Sequence, residues 1–192
     1  VATGQEYLTL AKTYYSVDLP VGDYTYLNLN EARRYVKKQF PDFAEYSFTY
    51  SVTSGQKVVE ETLPANLGVL KVWFDDGNGF FYELKRIPRL PDSLGLYAGL
   101  PYWYFIDSAR QKIKVYVSAN VDGSIYVRYV PDLQLIYDSS NLDTEDTDIL
   151  DKYKEAVAIE LAIKMALFDQ QYDLSAFLYK LRNRIFSELV EL

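Results

Sequence analysis

The chain has 192 residues, of which 49% are hydrophobic and 24% charged; this suits one folded domain, or a helical body carrying a β insert, and excludes a disordered chain. It contains neither cysteine nor histidine, so disulfides, zinc sites built on those residues, cysteine nucleophiles and Ser-His-Asp triads are excluded together. A net charge of -7 and only one short basic run argue against gripping nucleic acid by its phosphates, and no apolar run is long enough to span a bilayer.

From the N-terminus, "QEYLTLAKTYY" reads as a short helix. "LNLNEARRYVKKQF" reads as a better one, with Asn28 or Asn30 as N-cap, Leu29, Ala32, Val36 and Phe40 at helical spacing, and a stop at Pro41. "EYSFTYSVTSGQKVVEETLP" then switches to period two and predicts a hairpin turning at Ser54-Gly55. A second hairpin follows, Val69–Trp73 and Phe80–Leu84 about the turn Asp75–Gly79. "PRLPDSLGLYAGLP" is a loop or a single helical turn, and the strands "YWYFID", "QKIKVYVSA" and "SIYVRYVPDL" complete a set of six or seven, short, locally connected and therefore expected to be antiparallel.

The C-terminal third is helical. "TDILDKYKEAVAIELAIKMALFD" begins at Thr147 or Asp148, and between Ala156 and Phe168 only Glu160 and Lys164 are polar, so nearly its whole circumference wants cover. The last helix, from Asp173, carries an apolar stripe of Leu174, Phe177, Leu178, Leu181, Ile185 and Leu189. The fold class is α+β: a helical body of 1–45 and 146–192, a β module at 46–137, and an acidic linker at 138–147.

Residues that could carry chemistry are few. The acidic run "DSSNLDTEDTDILD" offers oxygen ligands but lacks calcium-loop spacing, and reads as a solvated loop with its last carboxylates at the start of a helix. "DDGNG" between alternating runs is a turn and not a phosphate loop, and no nucleotide-binding fingerprint occurs. Carboxylate pairs fit for glycoside hydrolysis exist in any acidic protein. Neither an enzyme, a cofactor nor a metal site is therefore expected. Arg33, Arg34, Lys37 and Lys38 read as the wet face of an amphipathic helix, or else as a basic patch for an acidic partner. The nineteen tyrosines fit an interface protein or an aromatic-rich β core. Tyr102, Trp103 and Tyr104 could stack on sugars, so a β-sandwich glycan- or protein-binding module with helical flanks is the alternative reading.

The order of these elements resembles the head-to-tail adaptor, or connector, proteins of tailed bacteriophages. The resemblance runs from about Leu27 to Leu192 through "LNEARRYVKKQFPDF", "SGQKVVEETLPANLGVLKV", "YFID", "DGSIYVRYVPDL" and the C-terminal helices. It implies a non-enzymatic homo-oligomeric ring, commonly of twelve copies, made in the bacterial host cytoplasm and placed at the virion's head-to-tail junction. Such a ring sits beneath the portal protein, offers a platform to the tail or nozzle, and passes DNA through its channel without specific binding. On that expectation ring neighbours help to cover the apolar helix at Ile159, Ile163 and Phe168, while Arg182 and Arg184 dock on the portal.

Overall fold

Both ends of the chain build one unit and its middle builds another. The computed structural model describes residues 1–15, 23–43, 46–53, 58–88, 103–116, 122–136 and 138–190. Residues 1–41 and 133–192 form a helical unit and 42–132 a β unit. The chain is α+β, as its periodicities predict. The acidic segment 138–147, expected as a linker, belongs to the helical unit, as does all of the chain from 133 onward.

In the helical unit, α1 (Gly4–Tyr14) opens with a capping box: the Glu6 amide donates to Thr3 Oγ1 at 3.2 Å, and the Thr3 amide donates to Glu6 Oε2 at 3.0 Å. α2 (Asp23–Gln39) buries Leu29, Ala32 and Val36 on one line and ends before Pro41. It starts earlier than its asparagines suggest, so neither Asn28 nor Asn30 is an N-cap. α3 (Lys154–Phe168) begins six residues after Asp148, behind a 3-10 turn at Asp151–Tyr153, and has no side-chain N-cap; the expected start at Thr147 or Asp148 is thereby corrected. Its C-terminus closes in a Schellman motif, with Gln170 at φ 58, the Gln170 amide donating to Leu167 O and the Gln171 amide to Ala166 O. α4 (Tyr172–Val190) follows at once.

α3 packs against α1, α2 and α4 together. Its residues from Ala156 to Ile163 are all buried, as are Met165 and Ala166. Burying an aliphatic side chain of this size stabilises by roughly 1.5–3 kcal/mol, so this one helix holds much of the unit's core.

Among the described residues the β unit contains eight strands, more than the six or seven expected: β1 (Tyr46–Val52), β2 (Val58–Thr62), β3 (Asn66–Asp75), β4 (Phe81–Glu83), β5 (Lys85–Arg86), β6 (Trp103–Asp107), β7 (Lys112–Tyr116) and β8 (Gly123–Pro131). They form two four-stranded sheets, ordered β1-β8-β3-β4 and β2-β7-β6-β5. β1 and β2 do not pair with each other, which corrects the first expected hairpin; β1 pairs with β8 and β2 with β7. The turn proposed for it, Ser54-Gly55, lies outside the described residues, as does the loop at 89–102. β5 and β6 run parallel, so the sheets are not wholly antiparallel. The β3–β4 hairpin and its turn are as expected.

One core joins the two sheets. Ile125 and Val127 from β8, and Val72 and Phe74 from β3, share a cluster with Val59, Ile113, Val115 and Tyr104 of the second sheet. Strand alternation turns these residues inward and sends Trp73, Tyr126 and Phe81 to the outer face of the first sheet. Gly123 is required by close approach: a Cβ there would stand 2.3 Å from the Asp75 carbonyl oxygen.

Candidate functional site

The basic stretch of α2 divides by helical geometry. Arg33 and Lys37 lie one turn apart, on the side of α2 that also carries Asn30, and all three are buried. Arg34 and Lys38 point toward the surface, Arg34 beside Glu31 at 3.4 Å. The stretch is therefore neither one wet face nor one docking patch, and half of it is an internal fastening.

Its partner is the acidic segment. The Arg33 guanidinium meets Asp146 in a two-pronged pair, Nε to Oδ2 at 2.7 Å and a terminal nitrogen to Oδ1 at 2.6 Å, with the two side chains 2% and 1% exposed. Its other terminal nitrogen donates to Asn30 Oδ1 at 2.9 Å and to the Gln134 carbonyl at 2.8 Å. Tyr7 donates its hydroxyl to Asp146 Oδ2 at 3.1 Å, and burial followed by the Asp146 charge pushes that phenol well above its usual range. Lys37 Nζ lies 3.2 Å from Asp148 Oδ1. Asn30 pairs with the Ile136 backbone through both ends of its carboxamide, at 2.6 and 3.0 Å, as a neighbouring strand would. The solvated loop expected here is thus pinned at Asp146 and Asp148, although Asp143, Glu145 and Asp151 are exposed. Arg33 and Asp146 line a small cleft together with Leu135, Asn141, Thr144, Glu145 and Thr147. Among the described residues no acidic group is arranged to hold a metal ion, and no helix is long and apolar enough to cross a membrane.

Arg182, expected to be exposed, reaches Glu160 on α3 at 3.1 Å, with the side chains 15% and 7% exposed. Its guanidinium also sits over the rings of Tyr179, Tyr35 and Phe186 at 4.8, 5.2 and 5.7 Å, and its Nε is buried without an acceptor among the described residues. Burial raises the Glu160 carboxyl above its usual range, and Arg182 acts against that shift. This is a buried clamp between α3 and α4, and only Arg184, paired with Glu188 at 2.9 Å, lies at the surface.

Ile159 and Ile163 are 0% exposed within the single chain, so neither is an interface residue. Phe168, the third residue expected to meet a ring neighbour, is 59% exposed within the single chain and touches Tyr24 at 4.2 Å between ring centres. Phe177, counted in the apolar stripe of α4, is 61% exposed, whereas Leu178 and Ile185 are buried. Tyr102 lies outside the described residues. Trp103 is half-buried on β6, opposite Tyr116, and Tyr104 is a buried member of the core, so it offers no stacking surface.

Spacing did not reveal the outward row on the first sheet, because it depends on which strands pair. Trp73 lies directly opposite Tyr126, and Phe81 stands 5.8 Å from the Tyr126 ring. On the second sheet, hydrogen bonds from Lys112 and Lys114 hold the Glu60 carboxyl down at about 2.

No protein-family model matches the chain, and no curated protein sequence matches it.

Proposed function

We propose that the chain is a head-to-tail adaptor of a tailed phage: a structural, non-enzymatic subunit that assembles into a ring between the portal and the tail or nozzle and lines part of the DNA channel. The observation that carries this reading is the chain order, in which both ends close one helical unit and a β sandwich is inserted between them; this is the order of elements on which the resemblance rests. A net charge of -7 suits a channel wall along which DNA slides without being held. Large apolar side chains left on the helical unit, Leu27, Phe168, Tyr172 and Phe177, give a ring neighbour or the portal something to cover. Of the basic residues expected to meet a partner, Arg184 and Lys38 are exposed, whereas Arg182 is taken by Glu160.

The test is native mass measurement of the purified chain alone and with portal rings of its own phage. Ring-sized species, or chain bound to portal in a fixed ratio, would support the adaptor. A chain that stays monomeric at every concentration and binds no portal would sink it. One observation favours the alternative, a glycan- or protein-binding β sandwich: the outward Trp73, Tyr126 and Phe81 on the first sheet. Glycan binding abolished by Trp73→Ala would establish that reading instead.

A further inference from the structure

The β3–β4 turn, Asp75-Asp76-Gly77-Asn78-Gly79, holds the chain's one Asn-Gly pair. Asn78 and Gly79 are both exposed. We propose that Asn78 is a site of spontaneous covalent modification, losing its side-chain amide to become aspartate or isoaspartate.

The chemistry needs no partner but water. The Gly79 backbone nitrogen attacks the Asn78 side-chain carbonyl carbon and gives up its proton, and the side-chain nitrogen leaves as ammonia. The product is a five-membered succinimide. Water then adds to one of its two carbonyls and reopens the ring, giving aspartate if the new C–N bond breaks and isoaspartate if the original peptide C–N bond does. No oxidant or reductant enters.

Three features of the turn favour the step at this asparagine. The attacking nitrogen belongs to a glycine, with no side chain to obstruct ring closure, and nothing lies within 4 Å of where a Cβ would be. Among the described residues no acceptor engages the Gly79 N–H, whereas the two preceding turn amides are both engaged: Gly77 N donates to Asp75 Oδ1 and Asn78 N to Asp76 Oδ1, each at 2.9 Å. The same contrast protects Asp76, which also precedes a glycine but whose nucleophile would be the tethered Gly77 amide. Among the described residues the Asn78 carboxamide has one bond, a long one of 3.3 Å from its nitrogen to the Asp76 carbonyl. Asn30, by comparison, is buried, bonded through both ends of its carboxamide, and followed by Glu31.

The products differ in consequence. Aspartate adds a third carboxylate beside Asp75 and Asp76. Isoaspartate also lengthens the backbone by a methylene inside a turn whose ends are fixed by the pairs Asp75↔Phe81 and Phe74↔Tyr82, and so loosens the hairpin tip that presents Phe80 and Phe81.

The experiment ages the full folded chain in mildly alkaline buffer, digests it at intervals and follows each asparagine by mass spectrometry, with isoaspartyl methyltransferase labelling to mark isoaspartate. Conversion should appear first at Asn78, with isoaspartate among the products and ammonia released in step. Gly79→Val should abolish the early conversion, and an Asn78→Gln chain should show no labelling in this peptide while keeping the wild-type circular dichroism. An Asn78 that keeps its amide while other asparagines convert would overturn the proposal, as would a Gly79→Val chain that converts as fast as wild type.

Discussion

Replacing Arg33 by methionine keeps most of the side chain's length and removes its charge, leaving the Asp146 carboxylate buried with, among the described residues, only the Tyr7 hydroxyl and the Asp148 amide to solvate it. Breaking a buried pair by removing one partner costs about 3–5 kcal/mol, against a total stability of roughly 5–15 kcal/mol for a typical domain. Removing both charges, in Arg33→Met with Asp146→Leu, should cost much less than the sum of the two single changes, because neither charge is stranded. The two tryptophans make the measurement clean, since Trp73 and Trp103 both lie in the β unit. Far-UV ellipticity therefore follows the helices while tryptophan fluorescence follows the sandwich. With urea slopes of about 1–3 kcal/mol/M, the Arg33→Met ellipticity midpoint should fall by about 1 M or more. A loss below about 1 kcal/mol, the value typical of solvent-exposed pairs, would refute the argument that this pair fastens the acidic segment to α2.

Phe168→Asp should cost no more than about 0.5–1.5 kcal/mol, the worth of its ring contact with Tyr24, whereas Ile163→Asp should abolish the helical fold; paired circular dichroism melts decide this. Because burial raises the folded-state pKa of Glu160, its protonated form favours the fold: its contribution is full below the ordinary carboxylate range and is lost as pH rises through the raised value. Glu160→Gln should therefore gain on wild type as pH rises across that window in urea titrations, and a difference independent of pH would count against it. Gly123→Ala should destabilise the β unit by about 1–3 kcal/mol through the close Asp75 carbonyl and Phe74 ring, read as a lower midpoint in tryptophan fluorescence.

What could be read from the sequence was local. The β3–β4 hairpin was legible because Asp75–Gly79 supplies turn chemistry, and Gly77 and Gly79 do take the positive φ values such a turn uses. The pairing of β1 with β8 was not, because alternation tells which face a residue occupies and is silent about which distant strand lies beside it. The burial of Arg33 and Lys37 is hidden from the sequence for the same reason. A helical wheel places them on one side of α2, but only the tertiary fold brings Asp146 and Asp148 to that side. A signal did exist in the pair of acidic residues two apart, which complements two basic residues one turn apart. Phe168 is exposed for another reason: at the last position of a helix, continuation of an apolar run does not guarantee a neighbour within the chain.

The apolar circumference of α3 counts neighbouring helices, not neighbouring subunits. α1, α2 and α4 of the same chain already surround it, and Val157, Ile159 and Ile163 have no exposed surface left for another copy. A ring of the proposed kind could draw on what the bundle leaves outside, such as Leu27, Tyr172 and Phe177, and contacts of that kind would add to a unit that is already folded. Dilution then separates the two accounts. If neighbours completed the fold, ellipticity would fall with dilution as the ring came apart, since association and folding would be one equilibrium. If α3 is covered from within, ring-sized mass should disappear on dilution while ellipticity stays constant, and a helical signal lost in step with the mass would show that this cover is insufficient.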